Sequence, residues 1–246
     1  MRKSILITGA SSGIGMELAK EMAHRGYALA LTARRMDALE SLRNEIAGKN
    51  ESLPVEIAGL DVTDYGSVPV VLDDLAQRLG GIDIVFANAG VALGERIGLN
   101  EFEKARQSVE VNLTGAMATI DAAVSYFFSR GGGHVVGISS VAAFRGMPKS
   151  SAYSASKAGI AVYLEALRAE ARGKNIDVTV LYPGYIDTPL NNTLPSRPFL
   201  ISVEKGARII ADLIEKKKKS AFVPAWPWFL VGRLLKILPA SVIARM

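Results

Sequence analysis

A chain of 246 residues with 49% apolar residues, 22% charged residues and no cysteine can bury a large core, which excludes a disordered chain, a disulfide framework and a thiolate metal site. Its net charge of +5 is unevenly placed: residues 216–246 hold Lys216, Lys217, Lys218, Lys219, Arg233, Lys236 and Arg245 and no acid, a local +7, against −2 for all that precedes them. A terminal cluster of this kind suits a membrane surface or a partner rather than nucleic acid, whose binders spread charge over a face or groove.

In chain order, short β-rich runs alternate with longer helical ones. "SILIT" (4–8) predicts a buried strand and 13–25 a helix. "YALALT" (27–32) predicts a second strand, followed by a helix over 36–47. A third strand lies within 54–61, a helix over 64–79 and a fourth strand over 82–87. One long helix is expected over 101–129, a fifth strand over 134–139, a helix over 151–172, a sixth strand over 177–182 and a seventh over 220–224. Continuous apolar strands alternating with helices predict an α/β fold: one doubly wound parallel sheet of Rossmann type with helices on both faces. The expected organisation is a dinucleotide-binding and catalytic unit over 1–224, with 225–246 as an amphipathic C-terminal extension of it. The apolar run at Ile5–Ile7 is too short for a signal segment, and no stretch approaches the roughly 20 residues of a membrane span, so a cytoplasmic protein is expected. Two histidines, His24 and His134, without ligand-spaced carboxylates predict no metal site.

The first strand runs into "ITGASSGIG", with Gly9, Gly13 and Gly15 at the junction with the first helix. Glycine allows a sharp turn and a close approach of phosphate to the free N–H groups of a helix N-terminus. Dinucleotide folds place an acid at the end of the second strand to bind the ribose 2′-hydroxyl. Here that strand ends "LTARRMD": Ala33 stands at the acid's place, followed by Arg34 and Arg35. Without a carboxylate to repel a 2′-phosphate, and with guanidinium forks to hold it, the pattern points to NADP over NAD.

In "SAYSASKAGI" (151–160), Tyr153 and Lys157 share one helix face a turn apart among small residues. An ammonium beside a phenol stabilises the phenolate, and a tuned phenol can act as general acid or base. The fifth strand ends in Ser139 and Ser140, the fourth in "NAG" (88–90) and the third in "DV" (61–62); "VNLTG" puts Asn112 in the long helix, and the sixth strand ends "YPGYIDT". Ligands of open α/β sheets bind at these carboxyl ends.

With these motifs in this order, the chain resembles the short-chain dehydrogenase/reductase family over roughly residues 3–190. The resemblance implies that Tyr153 is the catalytic acid/base and that Lys157 binds the nicotinamide ribose and lowers the phenol's pKa. It implies that Ser140 holds the substrate oxygen and that Asn112 holds a water in a proton relay. For the cofactor it implies Gly9, Ser11, Ser12, Gly13, Ile14 and Gly15 of the turn, with Arg34 and Arg35. Asp61 and Val62 would flank the adenine, Asn88, Ala89 and Gly90 would line the cofactor, and Pro183, Gly184, Ile186 and Thr188 would sit beside the nicotinamide. Many NADP-using members carry a basic residue just before the second glycine, where this chain has Ser12; that leaves the phosphate to Arg34 and Arg35.

The implied activity is hydride transfer between NADP and a carbonyl or secondary alcohol. The alternative on the same fold is a non-catalytic dinucleotide sensor or scaffold. Loops 91–98, 141–148 and 185–200 carry Leu93, Phe144, Met147, Tyr185, Leu190, Leu194 and Phe199, which favours an apolar, lipid-like substrate. The tail "PAWPWFLVGRLLKILPASVIARM" could rest on a membrane interface, pack on another subunit or cover the pocket. The resemblance also implies a homo-oligomer, dimer or tetramer.

Overall fold

The computed structural model describes residues 2–244. Its centre is a seven-stranded parallel sheet of β1 (Ser4–Thr8), β2 (Ala28–Ala33), β3 (Val55–Gly59), β4 (Ile84–Ala87), β5 (Gly133–Ile138), β6 (Ile176–Pro183) and β7 (Ser220–Val223). The spatial order is β3-β2-β1-β4-β5-β6-β7, so the chain reverses direction across the sheet between β1 and β4. Successive strand residues face opposite ways, and both faces are buried. Leu6, Val85, Val135 and Val180 look into one core, shared with α3 (Ser67–Leu79), α5 (Ala116–Arg130) and α6 (Ser151–Glu170). Ile5, Ile7, Leu31, Phe86 and Val136 look into the other, under α1 (Gly13–His24), α2 (Met36–Lys49) and α7 (Val203–Glu215). The expected doubly wound fold is the one found.

Three local differences have physical causes. The helix expected over 101–129 is α4 (Phe102–Val109), a π-helical turn at Glu110–Gly115, and α5. The widened turn lies where the helix meets the loop after β3: a Cβ at Gly115 would come within 2.9 Å of the Val62 carbonyl oxygen. Such turns inside α-helices accompany functional sites, and Asn112 sits in this one. Helix α7 was not anticipated from "VEKGARIIADLIE", whose charges and Gly206 mask a buried stripe of Ala207, Ile210, Ala211 and Ile214 at helical spacing. A parallel β6–β7 pair requires a crossover helix there.

The tail forms α8 (Ala225–Ile237) and the short α9 (Ala240–Ile243), with Arg245 and Met246 outside the described residues. Lys216, Lys217, Lys218 and Lys219 precede β7 and α8 follows it, so the basic tail is not one cluster. Four strand residues put about 13 Å between its two parts. Lys217 is also paired with Asp177 at 2.6 Å, and the Lys219 carbonyl accepts from Arg168.

Inside the sheet, His134 on β5 and Thr179 on β6 are buried side by side, with Nε2 and Oγ1 2.8 Å apart. Burial pushes the imidazole pKa down to about 4, so it stays neutral in the folded protein. An unfolded imidazole titrates near 6.5 and takes up its proton first. Stability from this group is therefore complete above pH ~6.5 and falls as the pH drops from there toward 4. Wild type should lose about 2–3 kcal/mol more than His134→Gln across that window. Urea unfolding at a series of pH values checks it; identical slopes for the two proteins would contradict the assignment.

Candidate active site

The cleft lies at the carboxyl ends of the central strands, at the point where strand order reverses. Its first wall is the glycine turn. Gly9 and Gly13 adopt positive φ of 68° and 56°, and a Cβ on Gly9 would come within 2.8 Å of Ala89 Cα. Gly15 is closed off in the same way by the Gly9 carbonyl oxygen at 2.5 Å and Asn88 Nδ2 at 2.6 Å. The Ser12 hydroxyl makes no cap on α1, so the helix's first N–H groups remain open to an anion in the cleft.

Asn88 fastens this turn to the end of β4. Its Nδ2 donates to the Thr8 carbonyl at 2.9 Å, and its backbone N–H donates to Thr8 Oγ1 at 3.0 Å, as does that of Ala89 at 3.2 Å. Thr8 escaped notice in the sequence because a threonine at a strand end carries no distinctive spacing. Gly90 then passes over Asn112 and Lys157: a Cβ there would be 3.1 Å from Asn112 Oδ1 and 3.6 Å from Lys157 Nζ.

At the adenosine end, Ala33 lines the cleft together with Arg34 and Arg35. Arg35 reaches the turn, donating to the Ser11 carbonyl at 3.2 Å and to Ser11 Oγ at 3.1 Å. Arg34 is 62% exposed and 3.7 Å from Asp61, whose carboxyl is held below the usual range mainly by hydrogen bonds from Thr63, with Arg34 helping against the cost of burial. Val62, Leu60 and Val111 complete this end.

The opposite end is built by β5 and α6. Ser139 Oγ donates to the Lys157 carbonyl at 2.7 Å, and Lys157 Nζ donates to the Ile138 carbonyl at 3.0 Å. The strand end and the helix are thereby tied in both directions, and Ser139, to which the sequence motifs assign no role, is an anchor. Lys157 is buried, which pushes its pKa down to about 8, and Nζ lies 5.7 Å from the Tyr153 ring centroid. Burial pushes the Tyr153 phenol up, while a hydrogen bond with Ser140 acts in the opposite direction. Desolvation sets the direction of the phenol's shift, and Lys157 Nζ is turned to the Ile138 carbonyl. The Ser140 hydroxyl also accepts from the Ala142 N–H at 3.1 Å.

The cavity, of about 310 Å³, is bordered by Gly9, Ser11, Ser12, Gly13, Ile14, Arg34, Arg35, Asp61, Val62, Asn88, Ala89 and Gly90. Ser140, Tyr153, Lys157, Pro183, Gly184, Ile186 and Thr188 border it too. Two expected residues stand behind the wall. Gly15 is one. Asn112 is the other: its Oδ1 accepts from the Val91 N–H at 2.7 Å, and its Nδ2 donates to the Val91 carbonyl at 2.8 Å. Asn112 thereby fixes the strand end that Gly90 extends.

Two further residues were missed. Glu95 is 4% exposed, and its Oε1 accepts from Ser151 Oγ at 2.7 Å and from the Ala152 N–H at 2.6 Å. A carboxylate from the loop after β4 therefore caps α6 just ahead of Tyr153. Trp228 on α8 is 3% exposed and lies against Gly184, where any Cβ would collide with the indole; its ring meets Tyr185 edge-on at 5.8 Å. Neither residue forms a local motif, since each acts across a long stretch of chain.

Comparison with known proteins agrees with this architecture. The family model described as short chain dehydrogenase matches residues 3–198. An uncharacterized oxidoreductase of Mycobacterium tuberculosis (strain ATCC 25618 / H37Rv) is 40% identical over 245 residues, covering 99% of this chain and 97% of the relative. An uncharacterized oxidoreductase of Myxococcus xanthus (strain DK1622) is 36% identical over 96% of this chain and 93% of its own. Among solved structures, an alcohol dehydrogenase from the archaeon Thermococcus sibiricus, complexed with 5-hydroxy-NADP, superposes with a TM-score of 0.81 at 28% identity, covering 90% of this chain and 96% of that one. The chain belongs to the short-chain dehydrogenase/reductase family of oxidoreductases.

Proposed function

We propose that the protein is an NADP-dependent oxidoreductase acting on a carbonyl or secondary alcohol of apolar, lipid-like character. The observation that carries this reading is the junction of β5 and α6: Ser140, Tyr153 and a buried Lys157 face one cleft whose other end is a glycine turn flanked by two arginines. A sensor or scaffold would need the glycine turn but not the hydroxyl pair with a buried ammonium beside it. The same reading has the enzyme in the cytoplasm, meeting a membrane surface through the extension 225–246 of the unit 1–224, and assembling with copies of itself. Exposed Phe102, Phe128 and Val162 on α4, α5 and α6 favour such assembly.

The residues present suit the cofactor. Gly9 and Gly13 hold backbone turns that a side chain would strain or block, and the uncapped start of α1 offers N–H donors for the pyrophosphate. Arg34 and Arg35 would take the 2′-phosphate in the place Ala33 leaves uncharged, with Asp61 and Val62 at the adenine. Asn88, Ala89, Gly90, Pro183, Gly184, Ile186 and Thr188 would hold the nicotinamide half, with Lys157 at its ribose. When bound, the nicotinamide supplies or accepts a hydride.

The chain's own groups handle the oxygen and its proton. As negative charge grows on the carbonyl oxygen, the Ser140 and Tyr153 hydroxyls are the donors that stabilise it. Tyr153 then gives up its proton. Its raised pKa keeps the phenol protonated at neutral pH, the state that reduction requires. Lys157, with a pKa near 8, holds an exchangeable proton nearby. Asn112 keeps the Gly90–Val91 segment in register beside Lys157.

Substituting Tyr153→Phe removes one oxygen and hardly changes volume. Turnover should fall by about 10²–10⁴-fold while NADPH affinity, followed by nucleotide fluorescence, stays within a few-fold. Near-normal activity in the purified variant would remove Tyr153 from the proposed role.

Cofactor preference should depend on Arg34. Loss of one charge-assisted phosphate contact costs about 1.5–3 kcal/mol, so Arg34→Ala should reduce the ratio of kcat/KM for NADPH over NADH by roughly ten- to a hundredfold. A ratio that stays put would mean that the phosphate is held elsewhere. The substrate class is tested by NADPH absorbance with a panel of long-chain, steroid-like and small polar ketones; activity confined to the polar ones would overturn the apolar reading.

A further inference from the structure

Helix α8 has two apolar faces and uses only one. Trp228, Gly232 and Leu235 are buried at helical spacing against β7, Gly184 and the Val141–Phe144 turn that follows Ser140. The other face carries Leu230, Leu234 and Ile237, which are 51%, 48% and 77% exposed, and Trp226, in extended backbone at the kink that precedes the regular helix, is 68% exposed. A helix that is apolar all round requires cover on both sides. Phe199, in the loop after β6, meets Trp228 edge-on at 5.8 Å and is itself 56% exposed. On the far side of the cleft, Ile97 in the loop after β4 is 86% exposed. All three segments follow carboxyl ends of parallel strands, so they stand on the rim where the cleft opens.

The charges on this rim are of one sign where α8 lies. Arg233 stacks over Phe229 at 5.7 Å and Lys236 over Phe144 at 5.0 Å, and the sequence has no acid from Lys216 to its end. Arg96, Arg145 and Lys149 border a groove of about 560 Å³ that also reaches Ile243 at the end of the tail. A second copy pairing through this face about a two-fold axis would set Arg233 and Lys236 against their own images, with no carboxylate on α8 to offset them. An anionic lipid surface answers both features: it covers the apolar stripe and pairs with the cations. Among the described residues no helix is long and apolar enough to cross a membrane, which leaves contact in the plane of the interface.

We propose that α8 and the adjoining loop tips rest on an anionic bilayer, so that the mouth of the substrate cleft opens onto the lipid. The proposal deepens the reading of an apolar substrate and rests on it for its purpose: a lipid-soluble carbonyl would pass from the bilayer past Phe199 and Tyr185 without crossing water. The link to the cleft is physical, because Trp228 and Lys236 on this helix touch Gly184 and Phe144 directly.

Sedimentation with vesicles of pure phosphatidylcholine, and with an equimolar mixture of phosphatidylcholine and phosphatidylglycerol, tests the proposal on the full chain. Wild type should partition onto the anionic vesicles at low salt and be released as salt rises, since screening shortens the reach of the charges. Arg233→Gln with Lys236→Gln should weaken that partition roughly thirtyfold, at about a factor of five per charge. Leu230→Glu with Leu234→Glu should abolish it while leaving the melting temperature close to wild type, since both side chains point outward. Wild type remaining in the supernatant with both vesicle types would overturn the proposal. So would a wild-type dimer that the Leu230→Glu, Leu234→Glu variant dissolves into monomers without any vesicle binding, which would make the face an interface between copies. Vesicle binding alongside a negative long-chain ketone panel would sustain the docking and reject the apolar-substrate reading, so the two stand or fall separately.

Discussion

The site depends on how closely the ends of β1 and β4 approach. Parallel strands on either side of a topological reversal send their connections to opposite faces and leave a gap at their carboxyl ends. Here the gap is bridged by Asn88, whose amide and backbone reach Thr8 and whose Nδ2 nearly fills the space in front of Gly15. With that bridge in place the turn can have only glycine at positions 9 and 15. The start of α1 is then aimed into the cleft with its N–H groups uncapped. Phosphate binding at one end of the molecule is thus a consequence of backbone packing between two strands, and no charged residue has to create it.

The chemical end follows a different logic. An ammonium and a phenol are kept in a dry cleft by the β5–α6 ties, Ser139 to the Lys157 carbonyl and Lys157 Nζ to Ile138. Desolvation drives the two groups in opposite directions, the phenol up and the ammonium down, so Tyr153 comes to hold its proton more tightly than Lys157, the reverse of their order in water. Each group favours its neutral form more than it would in water, which keeps the phenol protonated and ready to donate. The Glu95 carboxylate at the start of α6 acts on position rather than on proton affinity, holding the first turn against the loop after β4.

What was legible in the sequence was what repeats locally. Strand period, the glycine turn, the Tyr–Lys spacing and the strand-end motifs are each contained in fewer than ten residues, and the structure brings them to one cleft. Less legible was anything set by distant packing. Helix α7 hides its buried stripe among charges, yet the parallel β6–β7 pair could have demanded it. The π-helical turn at Asn112 answers a contact with Val62, 50 residues earlier in the chain. The lysine run looked like part of the amphipathic tail because the two are adjacent in sequence, but β7 separates them. Glu95 went unnoticed because its partners at the start of α6 lie more than 50 residues further along the chain.

The tail and the site are joined through Gly184. Its place in "PGYIDT" suggested a glycine kept for a bound ring, and the structure supplies a second reason: the Trp228 indole occupies the space where a Cβ would stand. Trp228 Nε1 is buried there without a hydrogen-bond partner, an arrangement that costs about 1–3 kcal/mol unless packing compensates. The compensation is at hand in the aromatic contacts of Trp228 with Tyr185 and Phe199, which seat α8 against the strand end. A helix whose inner face is fixed this tightly to the cleft cannot shift its outer face independently. Whatever covers Trp226, Leu230, Leu234 and Ile237 therefore bears on Gly184 and Phe144, and through them on the shape of the pocket beside Tyr153.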